Sequence, residues 1–351
     1  MDKKSAFFIV LSIAILAVML YFIGIDKVID AIKDANLAIL GVAILIQIGT
    51  YFLYTCRWQI VNNIADINIG FRKLFPIVMV GLAVNNITPS GRGGGEPVRA
   101  YILAKEHGYE LKETLATVIA DRMLDTFPFI VLAIITIIAT VLYFNFPMWL
   151  EGILVLSVIA IIIILGMLIY MCVNESFGIK VENLIFKLTH RFYKKGSDNL
   201  KMKIHENISG FQDTMNMLIS NRKLFYYTIP LSFLIWIFEI LRVYVVFMAF
   251  GATLNVIVIG EVFILASLVG MIPLLPGGLG AVDGLMIGLY SKAGCPAGLA
   301  GPVTLVERLI SFWMASIIGL VILPHYGSSV LEKISIGNSA EELDKSISDE
   351  S

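Results

Sequence analysis

The feature that most constrains this chain is a series of apolar runs, each about 20 residues long, between Phe7 and Leu323. A helix of about this length spans the hydrocarbon core of a bilayer. The composition agrees, because 58% of the residues are hydrophobic and only 15% are charged, against about 25% charged in soluble domains. The runs are continuous, unlike the alternating strands of a membrane β-barrel. The sequence therefore predicts an all-α polytopic membrane protein rather than a soluble enzyme.

The apolar pattern predicts six full spans and two shorter stretches. The six spans cover residues 6–25, 37–56, 114–143, 150–173, 224–250 and 300–323. Each shorter stretch, Leu74–Ile87 and Val256–Leu275, runs into a segment rich in proline and glycine. Leu74–Ile87 has only 14 residues, too few to cross comfortably at about 1.5 Å per residue. We therefore expect both stretches to form re-entrant Pro/Gly hairpins.

Positive charge sets the predicted orientation, because Lys and Arg accumulate in cytoplasmic loops. Lys3 and Lys4 precede the first run, which we interpret as a retained helix, and segment 174–223 carries nine Lys and Arg residues. Segments 144–149 and 251–255 carry none. We expect a cell-membrane protein with both termini and segment 174–223 in the cytoplasm.

We interpret residues 1–325 as a single membrane domain and residues 326–351 as an acidic, disordered cytoplasmic tail. Within segment 174–223, apolar residues at helical spacing alternate with basic ones: Val181, Leu184, Ile185, Leu188 and Phe192 beside Lys180, Lys187, Arg191 and Lys194. This pattern is typical of an amphipathic helix on the cytoplasmic membrane surface. A plain solvated connector is the alternative.

The potential metal ligands are scattered. Three cysteines, Cys56, Cys172 and Cys295, lie far apart, and the four histidines form no metal-binding spacing. We therefore expect no metal and no cofactor. No basic domain is present either, so we expect no nucleic-acid partner.

The two halves of the chain contain matching motifs. PSGRGGGEPVR (89–99) precedes TVIADRMLD (117–125), and PGGLGAVDG (276–284) precedes VTLVERLIS (303–311). Four features match in register within two residues: the Pro/Gly turn, an acid seven residues after its first proline, an upstream arginine, and an acid–arginine pair. The match predicts two repeats, about 37–145 and 222–325. The predicted topology makes them inverted, as in many transporters, whose interrupted helices mark the binding site.

The Pro/Gly segments break the helix at membrane depth, where irregular backbone is tolerated only against protein or a wet cavity. Free N–H groups at the start of the following helix can bind an anion. We therefore assign headgroup contact to Thr88, Ser90, Arg92, Glu96, Arg99 and Asp283. Hinge and backbone-donor roles fall to Pro89, Gly91, Gly93, Pro276, Gly278 and Gly280. The alternatives are a bare turn, and acids that only cap helices or pair with arginine.

Seven charged residues interrupt the apolar runs, and Arg57, which directly follows the run 37–56, joins them in a predicted cavity charge network: Asp121, Arg122, Asp125, Glu239, Arg242, Glu307 and Arg308. A charge at the bilayer centre costs about 2.5–3.5 kcal/mol on insertion scales. These residues must therefore pair with one another or line a wet cavity. The first case describes an ion-pair scaffold, and the second a polar cavity for a charged headgroup.

NNITPSGRGGGEPVRAYIL (85–103) with Asp121-Arg122, and LLPGGLGAVDG (274–284) with Glu307-Arg308, resemble the flippase-like family that includes the transmembrane region of lysylphosphatidylglycerol synthases. The resemblance covers residues 5–325. It implies lipid or lipid-linked cargo, and, with no synthase domain following, it does not imply aminoacyl transfer. The second motif departs from the first in having Leu279 where the first has Arg92, so the two half-sites can bind different groups.

The function most favoured is translocation of an anionic or zwitterionic phospholipid, or of a polyprenyl-phosphate-linked lipid, through a central polar cavity. Membrane lipids are the expected partners. Ser90 and Ser267 have no histidine partner at readable spacing, so hydrolysis is unsupported. Two alternatives stay open. One is a membrane-embedded lipid-modifying transferase, and the other is a non-transporting partner of a separate glycosyltransferase or synthase.

Overall fold

The computed structural model describes residues 25–88, 93–143, 148–174, 178–180, 183–184, 197–271, 278, 280–296 and 298–327. This part of the chain is almost entirely helical and contains no strand. Its helices are α1 (Ile25–Lys33), α2 (Leu37–Ile64), α3 (Phe71–Ile87), α4 (Gly95–His107), α5 (Leu111–Tyr143), α6 (Met148–Val173), α7 (Ser197–Ser220), α8 (Arg222–Ala249), α9 (Val256–Gly270), α10 (Ala281–Lys292), α11 (Ala300–Arg308) and α12 (Met314–Ile322).

Four stretches of the described residues are long and apolar enough to cross a membrane: Leu37–Ile64, Leu111–Ala139, Arg222–Ala249 and Ala300–Tyr326. Each contains one of the predicted spans or most of it. A shorter apolar segment of α6, Val155–Met171, lies within the predicted span 150–173. The predicted first span, the turn residues 89–92, most of the predicted amphipathic helix and the tail from residue 328 lie outside the described residues.

Helix α2 corrects the predicted span 37–56. The hydropathy pattern ends at Cys56 because Arg57 follows, but the helix continues for two more turns to Ile64. Arg57 and Asn62 are both buried, and both have hydrogen-bond partners. A polar residue that is satisfied inside the protein therefore does not end the helix.

Helices α3 and α4 pack against each other as a hairpin, and so do α9 and α10. Helix α3 begins close to the end of α4, where burial and the neighbouring Lys73 lower the pKa of His107. Six residues separate the start of α9 from the end of α8, at the end of the bundle where Asn36 N donates to Ala249 O. Helix α11, which follows α10, packs on α1 at that same end.

The last long helical segment is interrupted just after its charged pair. A π-helical turn, Leu309–Trp313, separates α11 from α12. In α5, Pro128 lies six residues after Arg122. Regular helical hydrogen bonding is therefore interrupted directly after Arg308 in one segment, and one to two turns after Arg122 in the other. Single π-helical turns are frequent at functional sites.

Candidate functional site: a charged central cavity

The helices enclose a central cavity of about 150 Å³. It is lined by residues from both predicted repeats, on helices α2, α3, α4, α5, α8, α9, α10, α11 and α12 and on the turns that follow α9 and α11. Ten of its lining residues are charged, five arginines and five acids: Arg57, Arg99, Arg122, Arg242, Arg308, Glu96, Asp121, Asp125, Glu239 and Glu307. All eight residues of the predicted cavity charge network are among them.

Arg57 organises the charges of the first half. Its Nε donates to Asp121 Oδ1 at 2.8 Å, and its Nη1 donates to Asp125 Oδ1 at 2.6 Å. Asp121 and Asp125 are four residues apart and share one face of α5, as the spacing predicts. Arg99 Nη2 donates to the other oxygen of Asp121 at 3.0 Å. The Arg57 side chain is 2% exposed, so these charges compensate one another away from water.

The α3–α4 hairpin brings Glu96 and Arg122 to the same cluster. The side chain of Asn85 near the end of α3 accepts from Gly95 N at 2.7 Å and donates to Glu96 Oε1 at 3.3 Å. Asn85 therefore satisfies a backbone donor at the start of α4 and orients the acid. Arg122 Nε lies 3.7 Å from Glu96 Oε1, and its side chain is 35% exposed. It is the most exposed of the arginines that line the cavity.

Arg242 organises the charges of the second half. Its Nη2 donates to Glu307 Oε1 at 2.7 Å, and its Nη1 donates to Glu239 Oε2 and to Gln47 Oε1. The Arg242 side chain is fully buried. One guanidinium thus lies between two carboxylates, one from its own helix α8 and one from α11.

Asp283 forms a separate pair with Arg308. Arg308 Nε lies 2.9 Å from Asp283 Oδ1, and Gly280 N donates to Asp283 Oδ2 at 2.9 Å. Asp283 therefore both caps α10 and pairs with an arginine. These are the two roles that the sequence offers as alternatives to headgroup contact. Gly278 and Gly280 adopt positive φ values of 68° and 80°, which only glycine tolerates easily.

Two hydrogen bonds connect the halves through α2 and α8. Arg57 Nη1 donates to Ser232 Oγ at 3.1 Å, and Arg242 donates to Gln47 Oε1. Ser232 lies ten residues before Arg242, and Gln47 lies ten residues before Arg57. Ten helical residues span about 15 Å, so the Arg57 and Arg242 clusters lie at two levels of one cavity.

The aromatic side chains of the site were not predicted from the sequence. Each of four arginines lies over a ring: Arg57 over Tyr54, Arg99 over Trp58, Arg242 over Phe263 and Arg308 over Phe312. Gln47 and Ser232 were missed as well. Their equal ten-residue offsets from the matched arginines were the available signal, whereas the ring contacts depend on side-chain directions that spacing does not give.

Several predicted site residues cannot be placed. Pro89, Ser90, Gly91, Arg92 and Pro276 lie outside the described residues. Thr88 is described at the end of α3, where its hydroxyl donates to Val84 O at 2.7 Å. Gly93 is exposed and is not among the glycines with positive φ. Their assigned roles stay predictions.

A family model described as the lysylphosphatidylglycerol synthase TM region matches residues 9–319. A membrane protein of the UPF0104 group from Methanothermobacter thermautotrophicus is 46% identical over 95% of this chain and 99% of its own. UPF0104 membrane proteins from Methanocaldococcus jannaschii (30%, covering 91% and 94%) and Pyrococcus horikoshii (28%, covering 90% and 95%) are also similar. The protein is thus an integral, multi-pass membrane protein, and it belongs to the family of the lysylphosphatidylglycerol synthase transmembrane region.

Proposed function

We propose that this protein translocates a lipid with an anionic or zwitterionic headgroup, a phospholipid or a polyprenyl-phosphate-linked lipid, between the leaflets of the cell membrane. The central cavity carries the proposal, because ten charged side chains line it inside a helical bundle with an apolar exterior. Leu45, Leu156 and Val321 are 68%, 66% and 68% exposed on that exterior. A headgroup would cross through the cavity while its acyl or prenyl chains stay in the bilayer.

The cavity offers groups suited to a phosphate. Arg122 is the most exposed of the arginines that line it, and Arg99 Nε is buried without a hydrogen-bond partner among the described residues. Guanidinium groups bind phosphate oxygens strongly, because their N–H donors match the geometry of the anion. We assign headgroup contact to these two arginines, with Arg92, Thr88, Ser90, Glu96 and Asp283 as further candidates from the sequence.

Two inverted repeats would supply the alternating access that transport needs. The paired contacts of Arg57 with Ser232 and of Arg242 with Gln47 support this arrangement, because corresponding positions make reciprocal contacts. In the proposed orientation both termini are cytoplasmic, and the α3–α4 and α9–α10 hairpins are re-entrant. The family name, which refers to a synthase of a charged phospholipid, supports lipid cargo without naming it.

The test is lipid movement in liposomes that contain the purified protein. Fluorescent lipids with anionic, zwitterionic and polyprenyl-phosphate headgroups would be compared for wild type, Arg122→Ala and Arg99→Gln. We expect headgroup-selective movement that slows at least tenfold in both variants. Lys33→Ala, which alters an exposed ion pair with Asp30, is the control and should move lipid at the wild-type rate. If no lipid moves, with or without ion gradients, the proposal is wrong.

A further inference from the structure

The two halves share four charges at corresponding positions: Arg57 with Arg242, Glu96 with Asp283, Asp121 with Glu307, and Arg122 with Arg308. Each half therefore has a common set of two arginines and two acids. The halves differ in the charged residues that each adds to this set around the cavity.

The first half adds a balanced pair, and the second half adds one acid. Arg99 and Asp125 belong to the first half, and the corresponding residues of the second half are the uncharged Met286 and Ser311. Glu239 belongs to the second half, and the corresponding residue of the first half is Tyr54. With Asp283, which lies beside the cavity and pairs with Arg308, these sets give three arginines and three acids in the first half, and two arginines and three acids in the second.

The excess negative charge of the second half lies next to Arg242, the most buried arginine of the cavity. Asp283 and Arg308 pair with each other, which leaves Arg242 between Glu239 and Glu307. The exposed fractions of these three side chains are 0%, 12% and 2%. A buried negative charge without a counter-charge is strongly unfavourable, and the usual relief is that one of two coupled carboxylates takes up a proton.

Two buried tyrosine hydroxyls lie next to this triad, and one of them lacks a partner. Tyr51 is 2% exposed and Tyr290 is fully buried; the Tyr51 hydroxyl interacts with the Gln47 side chain, whereas the Tyr290 hydroxyl has no hydrogen-bond partner among the described residues. Tyr51 is within electrostatic reach of Glu239 and Arg242, and Tyr290 of Glu307 and Arg242. An unpaired buried hydroxyl such as that of Tyr290 points to a bound species that completes its hydrogen bonds, and a hydroxyl can both accept and donate a hydrogen bond.

The other charged groups on the helices around the triad are paired or lie on another helix face. On α2, Arg57 pairs with Asp121 and Asp125 of α5. On α11, Arg308 pairs with Asp283 of α10. Helix α9 presents the Phe263 ring to Arg242, and its own acid, Glu261, lies two residues away and so on a different helix face.

We propose that the Glu239–Arg242–Glu307 triad binds one exchangeable proton and that this proton is the coupling ion of the proposed lipid transport. Arg242 already engages one oxygen of each carboxylate and the oxygen of Gln47. Each carboxylate therefore keeps one oxygen outside these contacts, which suits a proton better than a metal cation that needs about six oxygen ligands. The proton enters from one side, neutralises one carboxylate, and leaves to the other side.

Infrared titration of the purified full-length protein tests the proton site. A protonated carboxylic acid gives a carbonyl stretch that shifts in heavy water. The measurement is made in a Glu261→Gln background, which removes another buried acid; we expect the band there, and we expect its loss when Glu239→Gln or Glu307→Gln is added. Absence of the band in Glu261→Gln, or its persistence in either double variant, would overturn the site.

A pH gradient across liposomes tests the coupling, which rests on the proposed function. With the membrane potential held at zero and one proton moved per lipid, a gradient of one pH unit should accumulate the lipid up to about tenfold. Glu239→Gln should abolish accumulation. Lipid movement that the gradient does not bias, or that a sodium gradient drives instead, would overturn proton coupling. If no lipid moves at all, the proposed function and the coupling fail together, while the infrared band still decides the proton site.

Discussion

Arg57 donates hydrogen bonds to three acceptors from two other helices: Asp121, Asp125 and Ser232. Its replacement by alanine leaves two buried carboxylates without their main counter-charge. Breaking a buried ion pair from one side typically costs about 3–5 kcal/mol. We therefore expect Arg57→Ala to lower the free energy of unfolding by about that amount, measured by thermal unfolding in detergent.

The double variant Arg57→Gln with Asp121→Asn separates the cost of unpaired charge from that of lost packing. It removes charge from both sides, so we expect it to be more stable than Arg57→Ala. Lys33→Ala disturbs only an exposed pair and should unfold like wild type. A double variant no more stable than Arg57→Ala would contradict the electrostatic explanation.

At the scale of residues, the cost of charge in lipid predicted that the interrupting charges pair or line a cavity. The structure shows both, because Arg57 and Arg242 are paired and also line the cavity. The sequence could not assign the pairs, since Arg57 and Asp125 lie 68 positions apart. That separation is closed only by the packing of α2 against α5.

Close contact between α3 and α12 depends on one glycine. A Cβ at Gly319 would lie 2.5 Å from Ala83 Cβ and closer still to the carbonyl oxygen of Met79. Gly319→Ala must therefore separate the two helices, and overpacking of this kind typically costs about 1–3 kcal/mol. We expect a lower thermal unfolding midpoint for this variant.

Gly41→Ala is the matched control, because a Cβ there meets nothing within 4 Å. Alanine favours a helix interior over glycine by about 0.5–1 kcal/mol, so this variant should unfold at the wild-type temperature or slightly above it. Equal midpoints for Gly319→Ala and Gly41→Ala would show that α3 and α12 do not depend on close approach.

At the scale of elements, hydropathy predicted the existence of the long helices better than their ends. Helix α2 passes through its charged residue to Ile64, while α9 ends at Gly270, five residues before the predicted Leu275. Hydropathy measures affinity for lipid, whereas a helix end depends on local hydrogen bonding. Nothing in composition signals the π-helical turn at Leu309–Trp313.

At the scale of the whole molecule, contacts between helices show which helix ends lie at the same end of the bundle. Lys112 at the start of α5 lies 3.8 Å from Glu206 of α7, which belongs to the basic segment 174–223. At the other end, Asn36 before α2 donates to Ala249 O at the end of α8 at 2.7 Å. Charge counting alone predicted which loops share a side, and these contacts place the corresponding helix ends together.

This arrangement predicts the outcome of cysteine labelling with a membrane-impermeant maleimide, in intact cells and in a background without native cysteines. We expect Thr253→Cys and Ser291→Cys to react from outside, and Asn68→Cys and Glu110→Cys to react only after permeabilisation.

Gly93→Cys decides between a re-entrant hairpin and two full crossings. Helices of 17 and 13 residues reach only about 26 and 20 Å, less than the ~30 Å core, so Gly93→Cys should not react from outside. External labelling of Gly93→Cys would make α3 and α4 full crossings, and external labelling of Asn68→Cys would reverse the proposed orientation.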